Sequence, residues 1–168
     1  MGYRSDVAYL IAFPNGEELD RFILSANTLS KQPVAEDDRQ DVPREVWGDM
    51  TSALGECLIT RGVIPSISFY HEGVKWYPTY DDVAAHNSLF DLAFLHHVDG
   101  GKKMTNKMVG GFMRNMSLIA GDFLRIGEDD NDTERRGFGV SPLCDNMSVE
   151  RRITFFSLTG ELFKNRDI

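Results

Sequence analysis

Cysteine is scarce in this 168-residue chain: it holds two, Cys57 and Cys144. They stand far apart with no CxxC spacing, so they read as free buried thiols rather than a disulfide, which suits a reducing compartment. Long apolar runs are missing too, and no stretch approaches the ~20 residues that a membrane-spanning helix needs. The start, MGYRSDVAYL, lacks the apolar core of a signal peptide. It also has Asp6 where a myristoylation signal wants Ser or Thr. Without a secretion signal, the glycosylation triplets at Asn115, Asn131 and Asn146 are read as chance matches. Positive charge is outnumbered, with 18 Lys and Arg against 26 Asp and Glu and a formal net charge of −8. That balance argues against a general affinity for nucleic acid, which rests on neutralising phosphates. It favours solubility, and it fits basic partners, including proteins that themselves bind DNA.

The usual signatures of catalysis and metal binding are absent as well. No GxSxG elbow and no GxxxxGK[ST] loop occurs, and the glycines at Gly100-Gly101 and Gly110-Gly111 lack the spacing to cradle a phosphate. On one helix His86 and His97 would share a face but sit ~16 Å apart, too far for one ion. His96 and His97 are neighbours that point in different directions. No local motif sets Cys57 or Cys144 beside a histidine as a nucleophile. The acidic run from Glu128 to Glu134 invites a calcium loop counted from Asp129. Glu134 then stands where the glycine belongs and Val140 where the closing Glu belongs. No cofactor and no metal is expected.

What is present is ordinary core-forming material: 42% hydrophobic and 26% charged residues, enough for one domain over 1–168. The chain is organised around residues 64–98. Ile67 and Phe69 alternate before His71-Glu72-Gly73, and Val74 and Trp76 after it, the pattern of a hairpin with Gly73 at positive φ. Pro78 ends the second strand. Asp81 or Asp82 then caps a helix carrying Val83, Leu89, Phe90, Ala93, Phe94 and Val98 at helical spacing. Ser5 to Phe13 is apolar on both faces, the mark of a central strand. Asn15 follows in a Pro14-Asn15-Gly16 turn and caps a helix with Leu19, Phe22, Ile23 and Ala26 inward.

The polar stretch 30–43 is expected as a surface loop, and 45–58 as a helix. The segment 99–108 is expected as a basic loop, 121–127 as a strand, 128–136 as a charged loop, and 149–158 as the last strand. The expected fold is α+β, with an antiparallel or mixed sheet of about five strands and helices packed mainly on one face.

Two groups of residues stand out as candidate surfaces. Trp76, Tyr77 and Tyr80 cluster near the expected hairpin, and strand alternation leaves part of such a set outside the core, a composition typical of interface hot spots. The acidic residues Glu128, Asp129, Asp130, Asp132 and Glu134 would complete a partner-binding surface. Arg125, Arg135, Arg136, Arg151 and Arg152 lie nearby in sequence, either pairing with the acidic loop or forming a local positive patch. An alternative surface, for nucleic acid or nucleotides, is Lys102, Lys103, Lys107 and Arg114 with the hairpin aromatics.

The start GYRSDV, the VKWY run at Val74–Tyr77 with Tyr80 and Asp82-Val83 after it, and Arg125-Ile126-Gly127-Glu128-Asp129 together resemble a family of small bacteriophage proteins. The resemblance implies a viral origin and action in a bacterial cytoplasm, and it brings no catalytic residues. The expected role is that of an accessory protein that binds a host or phage protein, inhibiting a host enzyme or defence system. Nucleic-acid binding is one alternative. An enzyme whose carboxylates converge from distant strands is another. A homo-oligomer is compatible with each.

Overall fold

The computed structural model describes residues 3–31, 47–106, 119–129, 131–139, 147–149 and 153–155. Its frame is β1 (Ser5–Ala12), whose side chains are apolar in both directions, and that is why it takes the centre of the sheet. The sheet has five strands in the order β2-β3-β1-β4-β5, from β2 (Leu58–Thr60) and β3 (Ser66–Val74) on one side to β4 (Ala120–Gly127) and β5 (Thr133–Phe138) on the other. All of its pairings are antiparallel. The fold is α+β, as expected.

Three helices are described, and they cover one face. In α1 (Gly16–Ser30) the Asn15 side chain accepts from Glu18 N at 2.9 Å, with Glu17 and Glu18 in the first turn. In α2 (Met50–Glu56) Asp49 caps in the same way, accepting from Ser52 N at 3.2 Å. The third, α3 (Asp81–Asn106), has 26 residues. Val7, Tyr9 and Ile11 of β1, Ile67 and Phe69 of β3 and Phe123 of β4 meet Leu19, Phe22, Met50, Leu89 and Phe90 from the helices. Each large side chain fully buried here contributes roughly 1.5–3 kcal/mol. On the opposite face Ala8, Leu10, Ala12 and Leu124 form a smaller cluster. A separate two-stranded sheet pairs β6 (Met147–Val149) with β7 (Ile153–Phe155), and β7 lies close to β1. No helix among the described residues is long and apolar enough to cross a membrane.

The structure corrects five sequence expectations. The hairpin around Gly73 does not form. Instead β3 runs on to Val74 against β1, and two steps on β1 (Val7 to Ser5) face three on β3 (His71 to Val74). The extra residue is a bulge, with Gly73 at φ 63° and its N–H donating to Asp6 Oδ1 at 2.8 Å. The break in alternation was real, and a bulge rather than a turn absorbs it. Second, the expected basic loop from 99 is helical as far as Asn106. Extending an existing helix adds one bond per residue fixed, which offsets about 1 kcal/mol for each of Gly100 and Gly101. Third, half of the charged loop is β5, whose residues alternate between exposed and half-buried. Fourth, the helix expected over 45–58 is described only as Met50–Glu56, and Leu58 already belongs to β2. Fifth, the last strand expected over 149–158 is not one strand: Val149 ends β6 and pairs with Ile153 of β7, so the two ends of that segment face each other across an antiparallel pair. Most of the 30–43 loop and the residues after Phe155 lie outside the described residues.

One close approach fixes how α3 sits. A Cβ on Gly48 would lie 2.8 Å from the Ala85 backbone, and the Gly48 N–H donates to Ser88 Oγ at 3.0 Å. Only glycine lets the chain before α2 lie flat on α3 at this point.

Candidate functional site: a cleft beside the β4–β5 hairpin

The hairpin that joins β4 to β5 closes through Gly127 N donating to Asp132 O at 2.7 Å and Asp132 N donating to Asp129 O at 2.9 Å. This turn brings the Asp132 side chain to Arg125, whose cross-strand partner in the register is Glu134. The guanidinium grips Asp132 twice, Nη2 to Oδ1 at 2.6 Å and Nη1 to Oδ2 at 2.8 Å, while Nε donates to Glu134 at 3.3 Å. Arg125, and then the Tyr3 hydroxyl, hold the Asp132 carboxyl down at about 2. Tyr3 reaches in from the chain before β1: its hydroxyl donates to Asp132 Oδ2 at 2.6 Å, and its N–H donates to the Tyr77 hydroxyl at 2.9 Å.

Arg136, two residues on from Glu134 along β5, lies over the Phe123 ring with its guanidinium carbon 4.2 Å from the centroid. It donates to Asn87 of α3 at 3.1 Å and to Asp91 at 3.4 Å. Its Nε is buried 3.1 Å from Glu134 Oε1, near enough for an ion pair but not aimed for a hydrogen bond.

Between this charged wall and the segment Trp76–Pro78 lies a cleft of about 420 Å³. Trp76 and Tyr77 form its aromatic side, Asn87 and Asp91 its α3 side, and Arg125, Asp132, Glu134 and Arg136 its sheet side. Trp76 is half-buried because it also packs on the core, 6.1 Å from Phe69 and 6.3 Å from Phe123 between centroids. Both arginines are engaged by carboxylates, so an anion would have to displace Asp132 or Glu134 to reach them. An occupant that is cationic, or that donates hydrogen bonds over an aromatic surface, needs no such displacement.

The sequence-derived surface falls partly here. Trp76, Tyr77, Asp132 and Glu134 line the cleft together. Tyr80, 45% exposed, stands edge-on to Tyr77 at 5.2 Å without lining it. Glu128 and Asp129 are exposed in the adjoining turn, Glu128 accepting from Arg4 N at 2.8 Å and Asp129 N donating to the Tyr3 hydroxyl at 3.2 Å. Asp130, Lys107, Arg114, Arg151 and Arg152 lie outside the described residues. Lys102 and Lys103 lie on the last turns of α3. The sequence left open whether the arginines pair with the acidic run. Arg125 and Arg136 do, whereas Arg135 reaches back to buried Asp122 at 2.8 Å. Sequence reasoning missed Tyr3, Asn87 and Asp91 as cleft residues, since only tertiary packing brings them there.

In comparisons with known proteins, no family model matches this chain, and no curated protein and no solved structure does either.

A second polar cluster is buried beneath Trp76, and it too had no linear signature. Tyr9 Oη lies 2.7 Å from His86 Nδ1 and 3.2 Å from Cys57 Sγ, and His86 Nε2 lies 2.8 Å from Glu56 Oε2. A carboxylate only accepts, so Nε2 carries the ring proton, Nδ1 accepts from the Tyr9 hydroxyl, and the Cys57 thiol donates to Tyr9. The chain of donors therefore runs one way, from thiol to surface carboxylate. Burial pushes the Cys57 thiol up to about 12. It is held as a thiol, not as a nucleophilic thiolate. Burial, only partly opposed by Glu56, lowers His86 below its ordinary 6.5, so the ring is neutral at pH 7. Among the described residues no group of three or more His, Cys, Asp or Glu is arranged to hold a metal ion.

Proposed function

We propose that this protein is a binding module whose cleft and acidic turn receive a basic segment of a partner protein. The observation that carries this reading is the shared wall: Trp76 and Tyr77 face the same cleft as Asp132 and Glu134. A lysine or arginine side chain laid over the aromatic side gains a cation–π contact, worth about 0.5–2 kcal/mol according to how dry the site becomes. Exposed Glu128 and Asp129 beside it supply the longer-range attraction, reinforced by the net charge of −8. The resemblance to small phage proteins adds a class of partner, a basic host or phage protein.

The test is fluorescence anisotropy with a labelled Lys/Arg-rich peptide, set against a Glu-rich peptide of equal length. Binding of the basic peptide that weakens with salt is expected. The double variant Glu128→Gln/Asp129→Asn should weaken it about five-fold, at ~0.5 kcal/mol per exposed charge removed. Equal affinity for both peptides, or no effect of the double variant, refutes the reading. Salt-sensitive retention on single-stranded DNA by the same protein would favour the nucleic-acid reading instead.

A further inference from the structure

The Glu56–His86–Tyr9–Cys57 chain takes no part in the binding site as described, yet it touches that site through one residue. The His86 ring lies 4.2 Å from Phe69 and 5.9 Å from Trp76 between centroids, and Trp76 is the aromatic side of the cleft. We infer that His86 is a pH-sensitive switch that resets the Trp76 wall of the cleft when its ring takes up a proton.

The geometry dictates what protonation does. With both ring nitrogens donating, Nδ1–H points at Tyr9 Oη, so the Tyr9 hydroxyl turns to Cys57 Sγ, and the thiol can no longer donate to Tyr9. Two of the three hydrogen bonds reverse direction, and no heavy atom need leave the network. The ring acquires a positive charge facing Trp76 and Phe69 at cation–π distance, which draws the indole toward it. Glu56, at 2.8 Å and on the solvent side, steadies the imidazolium.

The groups that bear on His86 come from every element around it. Glu56 at the end of α2 and Asp82 on its own helix favour the charged ring, and His71 on β3 opposes it. Tyr9 from β1 and Cys57 from the segment after α2 are neutral there, both held protonated by burial. The consequence for a partner rests on the proposed binding role; the switch itself does not.

The experiment uses a Trp47→Phe background, so that Trp76 is the sole indole, and follows its emission from about pH 8 to 5, the range over which a histidine switches. One titration step is expected, with its midpoint below 6.5. His86→Gln should abolish the step and His71→Gln should keep it. Glu56→Gln, at an exposed position that spares the core, should move the midpoint down by about half a pH unit or more. No step, a step unchanged in Glu56→Gln, or a step that coincides with loss of helical circular dichroism each overturns the proposal. Basic-peptide affinity measured alongside separates the two readings. If Trp76 titrates while the peptide fails to bind at every pH, the binding role falls and the switch stands.

Discussion

Tyr9→Phe removes one oxygen from the middle of the buried chain and leaves the ring in place. The packing of that ring, stacked with centroids 5.4 Å from Phe69 and 6.2 Å from Phe123, is available to phenylalanine unchanged. Any loss of stability therefore reports the hydroxyl. Without it, His86 Nδ1 has no donor. The ring cannot answer by swapping tautomers, because Nε2–H is committed to Glu56 at 2.8 Å. A buried acceptor left unpaired costs roughly 1–3 kcal/mol, and the thiol, a weak donor, adds little. The expected loss is about 2 kcal/mol near neutral pH, or a fall of about 4–8 °C in melting temperature for a chain of this size. Urea unfolding followed by circular dichroism measures it, with an unchanged denaturant slope as the sign that only stability has moved. A loss under about 0.5 kcal/mol would mean that the hydroxyl is not the bridge between imidazole and thiol, and would refute the reasoning.

Other outcomes follow from the same geometry. The folded pKa of His86 is depressed, so its contribution to stability is complete above 6.5 and is lost as pH falls from there toward the folded value; His86→Gln should flatten that part of the pH–stability curve. Asp132, with its folded pKa near 2 against an ordinary 3.8, loses its contribution in a separate window, roughly pH 4 to 2; Asp132→Asn should remove that acid limb and lower stability at pH 7, as chemical denaturation can show. Asp122 is buried, and desolvation raises its pKa despite Arg135, so Asp122→Asn should leave neutral-pH stability unchanged or higher, with a clear loss counting against the argument. Gly48→Ala should destabilise by about 1–3 kcal/mol, because its methyl meets the Ala85 backbone rather than a movable side chain. A melting temperature equal to wild type would show that the Gly48 segment can lift off α3.

What the sequence reveals of this fold follows from how local each signal is. The apolar double face of Ser5–Ala12 and the Asn15 cap are written in adjacent residues, and both appear as read. The 66–76 stretch misleads because its alternation belongs to β3 alone. The partner that completes it is β1, more than fifty residues earlier, and the glycine that looks like a turn is a bulge opposite Asp6. The 128–136 stretch misleads for another reason. Its charges look solvated, yet Arg136 turns inward over Phe123, and Glu134 neutralises it, which only the register of β5 against β4 reveals. The same holds for the cleft. Aromatics and carboxylates could be picked out separately, but the distinction between Asp132, locked by Arg125, and exposed Glu128 and Asp129 depends on where the guanidinium lies. Charge reversal is thus informative at Glu128 and Asp129, and at Asp132 it would test folding instead.

The anchoring of Tyr3 has a practical side. Because its N–H is tied to Tyr77 and its hydroxyl to Asp132, whatever precedes residue 3 sets out from the mouth of the cleft. A purification tag or fluorophore joined there would start beside the opening and, on the binding role proposed above, act as a tethered competitor at an effective concentration of order millimolar for a short flexible linker. An acidic tag would leave the cleft accessible. A histidine-rich one would carry cationic rings to the aromatic wall just as the pH falls into the range where His86 also titrates. A label intended to report on this site therefore belongs elsewhere on the chain.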